Sequence, residues 1–226
     1  MKTVYFVRHG QSETNANIEA GKGQGVFQGI SSPLTEKGRE QARFIAERAA
    51  KLPIDIILTS HAVRARMTAE EIQRATGKPL EVVELFVERM SPTSILGKPR
   101  SDAAARELLT HWQRTFCTAD TRIEDGENFE DLRKRVADAL RYLEARPEKH
   151  ILVATHGYFL HMVIVVVMLG GNVTVDEFRR AVRRVWVDNT GITQLEFMTP
   201  EDGKHMDGEL YDGWVLRAWN DHAHLG

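Results

Sequence analysis

The chain has 226 residues, with 30 basic and 32 acidic side chains and a formal net charge of −2. This near-neutral balance, with basic residues scattered along the chain, excludes a protein held to nucleic acid by bulk charge. Its 42% hydrophobic and 27% charged residues exclude a disordered chain and suggest one globular domain. The single cysteine, Cys117, cannot close an intrachain disulfide, so composition asks for no oxidising compartment.

In chain order, Thr3 to Val7 is a short β-branched and aromatic run that predicts a strand, and it meets Arg8-His9-Gly10. It is too short for the apolar core of a signal peptide. Gly21-Lys22-Gly23-Gln24-Gly25 lacks the spacing and the Lys-Ser/Thr pair of a Walker loop, and is expected to form a mobile loop at an active-site rim. Gln28-Gly29 borders the same region. Thr35 can cap a helix whose stripe is Ala42, Ile45, Ala46 and Ala49, ended by Leu52-Pro53. A second strand is expected over Ile54 to Leu58, and a second helix carries Ala65, Thr68, Ala69 and Ile72 before Gly77.

Ser91 to Asp125 has a helical middle, Asp102 to Thr115, between Pro-, Gly- and Thr-rich flanks. It is expected to form a lid-like insertion over the sheet rather than a separate domain. Phe129, Leu132, Val136, Leu140 and Leu143 make a third helical stripe, and Ile151 to Ala154 a third strand, followed by Thr155-His156-Gly157. Tyr158 to Leu169 is the most apolar stretch. Spanning a bilayer takes about 20 apolar residues, so the segment reads as a buried helix, and a cytoplasmic chain with no membrane partner is expected. Strand–helix alternation predicts an α/β fold, a mostly parallel sheet between two helical layers.

Ligands of such sheets gather at the carboxyl ends of the strands. Three of those ends deliver Arg8 and His9, His156, and Thr59-Ser60-His61 with Arg64 one turn into the following helix. Guanidinium forks match phosphate oxygens, and their charge keeps a neighbouring imidazole neutral and nucleophilic. Attack on phosphorus would give a phosphohistidine, and a leaving alkoxide then calls for an acid nearby. No Asp-rich or clustered His set suggests a metal; His222 and His224 lack a third ligand and read as tail residues. The remaining histidines, His61, His111, His150, His161 and His205, read as polar loop or packing residues. Arg179, Arg180, Arg183 and Arg184, the densest basic cluster, read as a solvated face with a secondary part in attracting anions. Cys117 and the tryptophans Trp186, Trp214 and Trp219 read as packing residues.

Arg8-His9-Gly10 with Glu13-Thr14-Asn15 resembles the signature of the histidine phosphatase superfamily, the phosphoglycerate mutase-like clan. The resemblance continues in order through Ser32-Pro33-Leu34-Thr35-Glu36-Lys37-Gly38 with Gln41-Ala42, Thr59-Ser60, Arg64-Ala65, Thr68-Ala69, Gly126-Glu127, Thr155-His156-Gly157 and Trp219-Asn220-Asp221. It covers nearly the whole chain and implies a three-layer α/β/α sandwich. It further implies that His9 is the phosphorylated nucleophile and that Arg8, Arg64, Asn15, His156 and Gly157 form the phosphate pocket. Glu88 stands where the family places its proton donor, and Glu84, four residues earlier and expected on the same strand face, is the rival. The implied activity needs no cofactor and no metal. It is hydrolysis of a small anionic phosphomonoester, with inorganic phosphate as product. Where mutases of the clan carry Tyr-Gly, this chain has Ser91-Pro92, which favours a phosphatase over a cofactor-dependent phosphoglycerate mutase. A non-catalytic phospho-ligand module is the reading from another class, and whether the chain forms homo-oligomers is left open. Lys98, Arg100 and Arg89 point only to an anionic small molecule.

Overall fold

A computed structural model describes residues 1–21, 25–118, 121–202, 205–206, 209–210 and 213–226. The strands are β1 (Lys2–Arg8), β2 (Ile56–Thr59), β3 (Leu80–Val82), β4 (His150–Thr155), β5 (Ile192–Met198), β6 (His205–Met206), β7 (Glu209–Leu210) and β8 (Gly213–Asp221). The helices are α1 (Glu13–Glu19), α2 (Glu36–Ala49), α3 (Val63–Thr76), α4 (Ala103–Thr115), α5 (Phe129–Ala145), α6 (Gly157–Leu169) and α7 (Val175–Val182). β6 and β7 form a two-stranded ribbon; the other strands make one sheet in the order β3-β2-β4-β1-β5-β8. β3, β2, β4 and β1 are parallel, and β5 and β8 add antiparallel strands at one side.

The central strands are buried on both faces, which is why they read as continuous apolar runs rather than alternating ones. Side chains of successive strand residues still point to opposite faces. Val4 and Phe6 of β1, Ile56 and Leu58 of β2, and Ile151 and Val153 of β4 join the cluster under α5 and α6. Tyr5, Val7, Ile57, Leu152 and Ala154 join the cluster under α2 and α3, with Ile45, Ala46, Ala49, Ala69 and Ile72. Both stripes predicted for α2 and α3 are therefore core stripes, and the fold is the expected α/β sheet between helical layers.

The helix ends follow local chemistry. Thr35 caps α2 by accepting the Gly38 N–H, and Gly77 closes α3 in the left-handed region at φ 67°. β2 begins two residues later than expected. Ile54 is still in the turn after Pro53, its N–H donating to the Leu52 carbonyl at 2.8 Å. The helix of the 91–125 segment, α4, buries Trp112 and sends Phe116 into the core just past its end. No helix among the described residues is long and apolar enough to cross a membrane; α6 is instead buried along most of its length.

Two packing expectations need correction. Trp186 is 67% exposed and Trp219 44% exposed. Trp186 lies between Val185 and Val187, whose side chains pack into the core cluster, so its own side chain is left facing out. Trp214 does pack, against Phe197 with ring centroids 5.2 Å apart. Cys117 lies just beyond α4, half-buried, and burial pushes its thiol up.

Candidate active site

The parallel pairing of β1 with β4 sets Arg8 opposite Thr155, and the His9 N–H donates to the Thr155 carbonyl at 2.9 Å. This register brings the two His-Gly turns side by side. The rings of His9 and His156 lie 5.1 Å apart, edge to face. Gly10 lets the first turn of α2 pack directly on the strand-end turn: a Cβ there would stand 2.4 Å from the Gly38 carbonyl oxygen. The Gly10 N–H is taken by Thr68 Oγ1 of α3 at 3.1 Å.

His9 is buried. Its Nδ1 stands 2.7 Å from the Gly10 carbonyl oxygen. A carbonyl only accepts, so Nδ1 carries the proton and Nε2 the lone pair. Arg64 Nε donates to that Nε2 at 3.0 Å, and Arg64 Nη1 donates to the Gly29 carbonyl at 2.9 Å. Burial, then the charges of Arg64 and Arg8, hold the His9 imidazole well below its ordinary value. Burial, followed by Arg64, does the same for His156. His156 stands at the N-cap of α6, with Nε2 2.7 Å from Ser60 Oγ. The Ala62 N–H donates to that Oγ at 3.3 Å, so the Ser60 hydroxyl proton is free to point at the ring.

Arg8 is anchored by Nη1 donating to the Val187 carbonyl at 2.6 Å. Its Nε packs over Gly157, where a Cβ would come within 3.3 Å. Arg8 Nε and His156 Nδ1 are both buried and have no hydrogen-bond partner among the described residues. Native proteins rarely leave such groups unpaired; an anionic ligand would supply the acceptors.

Glu88 is set by the helix it faces. α6 has no side-chain cap of its own, and the N–H groups of Tyr158 and Phe159 donate to the Glu88 carboxylate at 3.1 and 3.0 Å. The first N–H groups of a helix are otherwise unsatisfied, so this carboxylate caps α6 from another part of the chain. Glu84 does not share a strand face with it. It lies in a single 3-10 turn, Glu84–Phe86, and pairs with His61 Nδ1 at 2.8 Å with its own side chain 79% exposed. Asn15 belongs to the rim: its Oδ1 accepts the Ser12 N–H at 3.3 Å in a capping box at the start of α1. Asn15 and Arg8 line one cavity of about 540 Å³.

Several positioning residues have no signal in the sequence pattern. Asn189 Nδ2 donates to the His9 carbonyl at 2.8 Å, and the Thr190 N–H to the Arg8 carbonyl at 2.8 Å. Thr190 adopts φ 61° to do so; only the turn-rich Asp188-Asn189-Thr190-Gly191 composition before β5 hints at this. Arg135 of α5 donates to the carbonyls of Leu85 and Val87 at 3.0 and 2.7 Å and to Glu88 at 3.4 Å, and pairs with both Glu127 oxygens at 2.8 Å. Glu127 also accepts the Met90 N–H at 2.8 Å. Arg89 is stacked on Tyr158, Trp112 and Phe116, 3.8, 4.5 and 5.0 Å from their ring centres.

The remaining basic expectations lie elsewhere. Arg179, Arg180, Arg183 and Arg184 line a separate open cavity with Asp176, and Arg100 sits over the Phe27 ring at 5.0 Å. Residues 22–24 of the expected rim loop and the side chain of His205 lie outside the described residues. Among the described residues, no three His, Cys, Asp or Glu side chains are grouped to hold a metal ion. His222 and His224 are tied to their neighbours, the latter to Thr190 Oγ1 at 3.1 Å.

The buried imidazoles make folding pH-dependent. Burial lowers His9, His156, His161 and, to about 4, His224. In the unfolded chain a histidine titrates near ~6.5, so above that both states are neutral. Below it, the unfolded chain takes up protons that the native site refuses. The contribution is therefore fully present above ~6.5 and is lost as pH falls. Thermal melts should show the midpoint dropping steadily from about pH 7 to about pH 5; a flat profile across that window would contradict the burial of neutral imidazoles.

Fold and site together define an α/β protein with a cationic, histidine-bearing pocket at the carboxyl ends of its parallel strands. The family described as the histidine phosphatase superfamily (branch 1) matches residues 4–205, and the chain belongs to it. It is an enzyme of the phosphatase and mutase kind. It is 32% identical to a protein of Salmonella arizonae named probable phosphoglycerate mutase GpmB, over all of this chain and 95% of the relative. A relative with the same name from Escherichia coli is equally similar. Among solved structures, a putative alpha-ribazole-5'-P phosphatase from Escherichia coli superposes with a TM-score of 0.73 at 20% identity, covering 98% of this chain and 97% of that one. Bacillus stearothermophilus YhfR superposes with a TM-score of 0.74 at 23% identity over the whole of both chains. These two show the shared fold.

Proposed function

We propose that the protein is a phosphomonoesterase working through a phosphohistidine on His9. The observation that carries this reading is a buried, neutral His9 whose Nε2 lone pair is held beside Arg64, with the unpaired Arg8 Nε and His156 Nδ1 in the same site. Phosphoryl oxygens would draw the Arg64 guanidinium off Nε2 and onto themselves, freeing the lone pair for in-line attack. Arg8, Arg64, His156 and the Asn15 amide would stabilise the charge on the equatorial oxygens. As the Nε2–P bond forms, the P–O bond breaks and Glu88 gives a proton to the leaving alkoxide. Water then attacks phosphorus, its proton returns to Glu88, and the N–P bond breaks to release inorganic phosphate and restore His9. Gly157 lets Arg8 lie close over the start of α6. The described residues of the 91–125 segment would serve as the lid; the hydrogen bonds that join Gly97 and Lys98 to Phe27, two residues before Gly29, support this reading.

The mutase reading is supported by its relatives, which carry the name probable phosphoglycerate mutase. A mutase must hold the bisphosphate intermediate while it reorients, and Met90-Ser91-Pro92 follows Arg89 where that grip belongs. Arg89 itself is engaged by three aromatic rings. The reading is tested by comparing phosphate release from phosphoglycerates with their isomerisation primed by bisphosphoglycerate. Net phosphate release is expected to dominate. Fast isomerisation with little free phosphate would make the protein a mutase.

A further inference from the structure

Among the described residues, the two most exposed large apolar side chains are Trp186 at 67% and Ile18 at 64%. Scattered exposed hydrophobics need no explanation, but these two line the same cavity, the one that contains Arg8 and Asn15. They reach it from different elements, Ile18 from α1 and Trp186 from the segment that follows α7. The cavity holds about 540 Å³, ample for a leaving group larger than a three-carbon chain.

Trp186 is held in place. Its Nε1 donates to Asp188 Oδ1 at 2.8 Å, and its own carbonyl accepts from Trp219 Nε1 at 2.8 Å. On either side, the Val185 carbonyl lies 2.9 Å from His161 Nε2 and the Val187 carbonyl takes the Arg8 guanidinium at 2.6 Å. Asn189 then binds the His9 carbonyl. An indole bonded to Asp188, on a segment whose Val187 and Asn189 hold Arg8 and the His9 carbonyl, has little freedom left to lose when a ligand packs on it. Its face is apolar and broad, while its one polar atom is already satisfied.

We propose that Trp186 is the platform on which the substrate's leaving group packs, with Ile18 on the α1 side. The substrate is thus a phosphomonoester of a ring-bearing alcohol, one presenting a flat apolar face. This rests on the phosphomonoesterase reading and narrows it to a substrate class. Phosphate recognition and ring recognition are then separate: Arg8 takes the phosphoryl end, and Trp186 takes the far end.

The test compares benzyl phosphate with glycerol 3-phosphate, two alkyl esters that differ in the ring, across wild type, Trp186→Ala and Trp186→Phe. Stacking of this kind is worth about tenfold or more in affinity. Wild type should prefer benzyl phosphate. Trp186→Ala should lose about tenfold in kcat/KM on it, mainly through KM, with less than about twofold change on glycerol 3-phosphate. Trp186→Phe should keep the preference. Equal losses on both esters, or no ring preference in wild type, would overturn the proposal. A parallel titration with benzyl phosphate follows tryptophan fluorescence and does not depend on turnover. Quenching in wild type that disappears in Trp186→Phe supports the platform even if neither ester is hydrolysed, an outcome that would sink the phosphomonoesterase reading alone. Quenching that persists unchanged in Trp186→Phe overturns the platform alone.

Discussion

Replacing His9 with Ala should lower phosphomonoester turnover by on the order of 10^4-fold, because on the proposed mechanism it removes the atom that attacks phosphorus rather than a group that assists it. Arg8, Arg64 and His156 would remain to bind phosphate, so KM should change far less than kcat. Rapid quenching of the wild-type enzyme with a labelled phosphomonoester should trap phosphate on protein in an acid-labile, alkali-stable form, and the variant should trap none. The pH dependence of the same reaction carries the electrostatic part of the argument. Burial and two guanidiniums hold His9 well below its ordinary value, so the proposed nucleophile stays unprotonated in mildly acidic solution. The acid limb of kcat/KM from this group should therefore fall below ~6.5. Substantial turnover by the alanine variant, or a trapped phosphate that survives the substitution, would remove His9 from the chemistry.

The sheet and the strand-end turns were legible because each leaves a local mark. A parallel strand buried on both faces is a short β-branched run, and β1 and β4 were readable within two residues of their ends. The edge of the sheet left no such mark. β5 carries Gln194 and Glu196 among its apolar residues, and β8 is broken by Arg217, whose charge pairs with Glu196 at 2.6 Å. β3 is only three residues long. The core of the site was legible for the same reason as the strands: Arg8, His9, His156 and Gly157 sit directly in strand-end turns. Long-range partners are another matter. Nothing near Arg135 in sequence says that it reaches the carbonyls of residues 85–88, and nothing near Asn189 says that it meets His9 across 180 positions. The exposure of Trp186 leaves no sequence mark for a related reason: aromatic residues are usually packed, and only the fold shows that both its neighbours turn inward.

The Glu127–Arg135 pair should matter in two separable ways. Both side chains are largely buried, 6% and 12% exposed. Removing one partner of such a pair strands the other charge, at a cost of about 3–5 kcal/mol, so Arg135→Ala should lower the melting temperature sharply. Arg135→Lys keeps the charge but loses the planar fork that joins Glu127 to three backbone carbonyls. That fork fixes the segment carrying Glu88, whose carboxylate, in the proposed mechanism, must meet the departing oxygen within hydrogen-bond reach. A misplaced acid hurts most where the leaving group is a poor one. Turnover of alkyl phosphates by Arg135→Lys should fall by about tenfold more than turnover of 4-nitrophenyl phosphate, whose leaving oxygen needs little protonation. Glu127→Gln, which keeps the shape and the hydrogen-bond acceptor for Met90, should show the same bias more weakly. If the lysine variant loses activity equally on both kinds of ester, the pair is a support for the fold and has no part in placing the acid. If the bias appears with little change in KM, the buried ion pair links α5 to the proton transfer, and the acid's position depends on residues about 40 to 47 positions further along the chain.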